Sequence, residues 1–181
     1  MNNSNVSNRQ SIATALDEAV AEVNQYVQTL DESSFERAPV GKWNAGQHLD
    51  HLLRSMQPLN LAYRLPHFAL KMMFGVTNRP SKTYQGLVEK YESKLAMGGG
   101  ARGRFIPKPI PYSNRPTLIH QYEKEKNKLI KRIQQYDEGA LDHYILPHPL
   151  LGKLTLREML FFTIHHNFHH LNLIRKYSQA N

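Results

Sequence analysis

Residues 155–177 read TLREMLFFTIHHNFHHLNLIRKY. Thr155 followed three places later by Glu158 is the pattern of a capping box, in which a hydroxyl and a carboxylate each take a backbone N–H at a helix start. No glycine or proline interrupts the chain from there to Tyr177. With about 100° of rotation per helical residue, Met159, Phe162, His170, Leu173 and Tyr177 all fall within about 40° of His166. His165 falls about 100° away and His169 about 60° away on the same count. The segment therefore predicts one long helix whose buried stripe contains two histidines, with another pair at its edge. A helix with one apolar stripe must bury it against other elements, so the rest of the chain has to supply them.

Working outward, the chain supplies helices. Ile12, Leu16, Ala19, Val20, Val23, Val27 and Leu30 recur at helical spacing. Asp31 to Val40 reads as a connector. Asn44 with Gln47 is another capping-box pattern, opening a helix with Ala45, Leu49, Leu52, Met56 and Leu59 on its buried side. Pro58 and Pro66 are expected to kink or break it. Residues 67–74 predict a short apolar helix ending at Gly75. A further helix is expected over 81–97, and another from Pro116, a residue favoured in a first helical turn, to Gly139. Residues 140–153 read as irregular, strand signals are weak, and residues 1–7 read as disordered. The expected fold is all-α: an antiparallel four-helix bundle with one or two short extra helices, in one domain over residues 1–181.

Residues 98–115 stand apart. They hold three consecutive glycines, Pro107, Pro109 and Pro111, and four cations, Arg102, Arg104, Lys108 and Arg115, with no acid. So long a connection without periodicity is unusual in a compact domain. It is either a surface excursion or a loop that covers something. Phe105 and Ile106 give it apolar surface to bury.

Composition narrows the chemistry. The chain of 181 residues has no cysteine, which excludes disulfides, thiolate zinc sites and a cysteine nucleophile. The polar start and the lack of a long apolar run predict a cytoplasmic protein with neither signal peptide nor membrane span. A net charge of +8 could suit nucleic acid, but the cations are spread along the chain and no helix-turn-helix is apparent.

Two imidazoles in one buried stripe each need hydrogen-bond partners. A shared metal ion satisfies one nitrogen of each, and residues four apart on a helix can ligate one ion. The plainer alternative is a hydrogen-bonded histidine pair in the core. A third ligand should come from another helix, where His48 and His51 are the candidates. Rotation places His48 nearer the stripe of its helix than His51.

The segment Trp43-Asn-Ala-Gly-Gln-His-Leu-Asp-His51-Leu resembles the DinB-like metal-binding four-helix bundles, in which a ligand histidine lies eight residues after a tryptophan. His166-Asn-Phe-His169-His170 resembles the same family's last-helix motif, and His148-Pro-Leu-Leu-Gly152-Lys-Leu-Thr155 resembles its turn into that helix. Many members continue with Arg-Gly-Gln where this chain has Leu171-Asn172-Leu173. The resemblance implies His51, His166 and His170 as metal ligands and His48 as a pocket neighbour. His169, Phe162, Met159, Tyr177 and His148 are further pocket candidates. Trp43 and Tyr63, like other aromatic residues in stripes, read first as core or interface. His148 is also placed to fix the turn before the last helix.

The expected cofactor is one divalent ion, zinc or nickel before iron or manganese. Three neutral ligands leave a position open, which is the catalytic arrangement. No His-Glu-x-x-His sequence supplies a general base. Asp50 and Glu158 point elsewhere by rotation, toward solvent contact or capping. No side chain is assigned a catalytic role; the activated water or thiol is the reacting group. The resemblance implies thiol S-transferase-like chemistry on a small electrophile, or metal-dependent hydrolysis. A non-catalytic metal-binding or stress-response bundle is the alternative from another class. The expected partners are a small-molecule substrate, with a low-molecular-weight thiol the favoured one, and a second copy of the chain in a homodimer. Membrane and nucleic acid are not expected.

Overall fold

A computed structural model describes residues 6–179. The elements, in order, are α1 (Arg9–Thr29), α2 (Glu32–Glu36), α3 (Ala45–Ala62), α4 (His67–Phe74), α5 (Tyr84–Ala96), α6 (Arg115–Ile133), α7 (Glu138–His143), β1 (Ile145–His148), β2 (Gly152–Thr155) and α8 (Leu156–Ser178). The fold is an all-α antiparallel bundle. α1 and α3 each pack against both α6 and α8, which closes a ring of four, and α5 lies outside it against α8.

The helix starts follow local chemistry. Asn8 and Ser11, Asn44 and Gln47, and Thr155 and Glu158 form reciprocal capping boxes at α1, α3 and α8. Ile12, Leu16, Ala19, Val20, Val23 and Val27 form the buried stripe of α1. Gly46, in the first turn of α3, stands where an added Cβ would lie 2.8 Å from the Phe35 ring and 3.0 Å from Ile110 Cβ. Glycine there lets α2 and the end of the 98–115 segment press onto α3.

Several sequence expectations need correction. Residues 1–5 lie outside the described residues, but Val6 packs on the core and the Ser7 carbonyl accepts from Arg157 at 2.6 Å, so these two are ordered. The 31–40 connector contains α2, capped by Asp31. α3 does not break at Pro58 but runs on to Ala62. Tertiary contact holds its last turn: the Asn60 amide donates to the Glu125 carbonyl at 2.9 Å, and Arg132 donates to Asn60. That bonding and the burial of Leu59 and Ala62 outweigh a local proline cost of about 3 kcal/mol. α6 ends at Ile133, six residues before Gly139. Asp137 then caps a new helix, α7, and Gly139 sits in its first turn. Residues 140–153 are not irregular: they hold the rest of α7 and most of an antiparallel hairpin that pairs Ile145 with Thr155 and His148 with Gly152.

That hairpin aims α8. His148 Nδ1 accepts the backbone N–H groups of Leu150 and Leu151, each at 3.1 Å, which fixes the turn as its position suggested. At the start of α8, buried Glu158 takes a bidentate bond from Arg79 at 2.6 and 2.8 Å and the Lys82 N–H at 2.8 Å. Burial opposes its charge, yet these donors and the Thr155 N–H hold its carboxyl below the ordinary value. Arg157 ties Asp142, Glu138 and Ser7 to the same end. Among the described residues, no helix is long and apolar enough to cross a membrane.

Candidate metal centre

α8 presents His166 and His170 one turn apart, 6 % and 5 % exposed, toward α3, which presents His48 and His51, 2 % and 6 % exposed. His51 Nε2 lies 3.2 Å from His166 Nε2, and His170 Nε2 lies 3.0 Å from the same atom. One ligand atom from each of the three falls within 4.8 Å of the others.

The outer nitrogens are also held. His51 Nδ1 lies 2.6 Å from the Phe105 carbonyl. A carbonyl only accepts, so Nδ1 carries the hydrogen, and the neutral ring keeps its lone pair on Nε2. His170 Nδ1 meets His48 Nδ1 at 2.7 Å. Burial pushes His166 and His170 well below the ordinary histidine pKa, and neighbouring imidazoles push further. Burial also lowers His51, against the opposing pull of the Phe105 carbonyl and Asp50. All three rings are therefore uncharged near neutrality.

This arrangement fits a metal ion. His166 Nε2 has a nitrogen on each side, but one ring hydrogen can serve only one of them. An ion in the middle would use all three lone pairs. Tetrahedral zinc with nitrogen at about 2.0–2.1 Å sets ligands about 3.3 Å apart, within about 0.3 Å of both contacts here. The three histidines could thus hold one divalent ion and leave a position open.

His48 stands outside the triad. Its Nε2 has no hydrogen-bond partner among the described residues, and burial lowers its pKa to about 3. Were His170 to ligate through Nε2, its Nδ1–H would donate to His48 Nδ1, and His48 would orient that ligand as an outer-shell acceptor does. The rotation count preferred His48 because it could not see the loop. His51 lies farther round the same flank of α3, where Phe105 covers it, so that flank is buried as well.

The other candidates divide. His169, Phe162, Met159, Tyr177 and His148 all line the cavity at the triad. The Phe162 ring stacks on His166 with centroids 4.7 Å apart, and His148 lies against Phe162 at 4.2 Å. Trp43 is a correction: it lines the cavity, 5.0 Å from the His51 ring and stacked on His170 at 6.2 Å. Tyr63 is core, with its hydroxyl donating to the Leu156 carbonyl at 2.8 Å. His165 turns away to Glu92 at 2.8 Å. Asp50 pairs with Arg54 at 2.5 Å, and Glu158 caps α8.

The 98–115 segment covers the histidine end. Its turn at Gly103–Phe105 packs on α3. Arg102 and Arg104 line the cavity, whereas Arg115 is engaged by the carbonyl of Leu30 at the end of α1, at 2.5 Å. The contact of Phe105 with His51 had no sequence signal, because a backbone carbonyl is common to every residue.

A search of curated proteins found no match to this chain. The family model of the DinB superfamily matches residues 15–174. That span runs from the first turns of α1 through both histidine-bearing helices, and on it the chain belongs to the DinB superfamily.

Proposed function

We propose that the protein is a metal-dependent enzyme that transfers a low-molecular-weight thiol onto a small electrophile, with His51, His166 and His170 as the metal ligands. The observation that carries this reading is the cavity wall. It has a volume of about 1010 Å³, and no aspartate or glutamate is among its described lining residues. Water attack normally needs a general base beside the nucleophile, and with no carboxylate in the wall only a histidine outside the triad could serve. A thiol needs less help, since its free pKa is already about 8.5.

A bound divalent ion supplies Lewis acidity that favours the thiolate over the thiol. The chain's residues do the rest. The Phe105 carbonyl holds His51 with its Nε2 lone pair inward, and His48, accepting from Nδ1–H, would hold His170 the same way. Trp43 and Phe162 wall the site with apolar surface. Arg102, Arg104 and Lys42 line the same cavity and offer charge to an anionic thiol. In the transfer, a sulfur–carbon bond forms and the carbon's bond to its leaving group breaks. The leaving group takes the electron pair, and the thiol proton passes to bulk water.

Hydrolysis is the second reading. It is favoured by His169, a partly buried cavity residue that burial keeps uncharged and able to accept a proton from water. Zinc- or nickel-loaded protein given a thiol and a chlorinated nitrobenzene tests the first reading; turnover of an ester without thiol tests the second. Silence in both screens with metal bound points to a binding role.

A further inference from the structure

The cavity is longer than a three-histidine site requires. Small-molecule pockets run about 300–1,000 Å³, and this one, at about 1010 Å³, sits at the top of that range. Its lining on α3 runs from His48 through His51, Leu52, Met56 and Leu59 to Ala62. From His51 to Ala62 that is roughly 16 Å of helix axis.

The two ends differ. Lys42, Arg102 and Arg104 belong to the histidine end through their chain neighbours Trp43 and Phe105. The far end is rimmed by Leu61 and Met73, 61 % and 58 % exposed. Leu61 and Met73 thus carry the apolar lining out to the cavity mouth.

The wall between the ends carries polar side chains, but they are spent within the protein. The Ser55 hydroxyl donates to the His51 carbonyl and the Thr163 hydroxyl to the Met159 carbonyl, both at 2.8 Å. The Tyr122 hydroxyl donates to Asn167 Oδ1, and the Asn167 amide donates to the Thr163 carbonyl at 2.8 Å. A polar ligand group placed there would lose water and find these donors occupied. An apolar chain loses nothing.

We propose that the electrophile is an amphiphile whose apolar chain lies along α3 in this cavity, with its reactive head at the histidines and the thiol entering from the cationic side. The proposal rests on the thiol-transfer reading for the identity of the head, but the seat of the chain does not require metal.

The test is a ladder of straight-chain alcohols from butanol to decanol, titrated into zinc-loaded protein and into metal-free His166→Ala. Trp43, the chain's one tryptophan, lines the cavity and reports binding by fluorescence. Each added methylene should tighten binding roughly fourfold until the cavity is filled, in both proteins. In Ala62→Phe, which fills the far end, the ladder should level off at a shorter chain. Affinity independent of chain length would overturn the proposal. So would an Ala62→Phe ladder identical to wild type, since the chain would then sit elsewhere. Failure of zinc to bind while the ladder persists would count against the metal reading and leave the amphiphile seat standing.

Discussion

The backbone carbonyl of Phe105 accepts a hydrogen bond from His51 Nδ1 at 2.6 Å, across a separation of 54 residues. One atom of a glycine- and proline-rich loop thereby fixes which nitrogen of a helix-borne histidine faces the triad. Loop position and ligand orientation become one variable.

Excising residues 101–106 should therefore weaken zinc binding by about 10–100-fold, the usual cost of losing an outer-shell partner of a metal-bound histidine. Competition against a chromophoric chelator reads this directly. Affinity equal to wild type in a folded deletion would make the contact incidental.

His48 should behave as the corresponding partner of His170. His48→Ala removes the acceptor and should cost about 10–100-fold in zinc affinity. His48→Asn, which returns an acceptor oxygen, should recover part of it. A residue that merely filled space would give the same loss in both variants.

Acid should loosen the hairpin before α8. Burial lowers the His148 pKa from the ordinary 6.5 to about 4, with help from nearby Lys90. The folded value lies below the unfolded one, so the fold binds fewer protons there. This contribution to stability is then full above about pH 6.5 and is lost as pH falls toward 4. Protonating Nδ1 also removes its two bonds to Leu150 and Leu151. Urea unfolding of metal-free protein between pH 7 and pH 4 should show a decline that His148→Ala makes shallower. Parallel declines would show that His148 does not contribute.

Much of this was legible in the sequence, for reasons that can be named. The Thr155/Glu158 and Asn44/Gln47 boxes declared α8 and α3 because capping is local chemistry. The i, i+4 spacing of His166 and His170 on one stripe declared two ligands. The third was harder: rotation on α3 favoured His48, and only the motif after Trp43 favoured His51. The early end of α6 was missed because Tyr136, three residues after Ile133 and buried like it, continues the helical spacing up to the Asp137 cap. The survival of α3 past Pro58 depends on Asn60 bonding to α6, which no local pattern encodes. Phe105 was invisible for a similar reason, since it acts through its backbone.

Glu158 should matter for stability rather than for metal. Glu158→Ala removes a capping partner and leaves Arg79 without its carboxylate. Arg79 is about a third exposed, so the loss should be roughly 2–3 kcal/mol, below the ~3–5 of a fully buried pair. Urea unfolding measures it, and a change under about 0.5 kcal/mol, typical of a plain surface site, would contradict the account.

Metal content of purified variants tests the central claim most directly. Wild-type protein and His165→Ala should each carry about one divalent ion per chain, as one three-ligand site requires. His51→Ala, His166→Ala and His170→Ala should each lose most of it while keeping the helical circular dichroism of the bundle. Retention of metal by a folded His166→Ala protein at the wild-type level would contradict the assignment of the site.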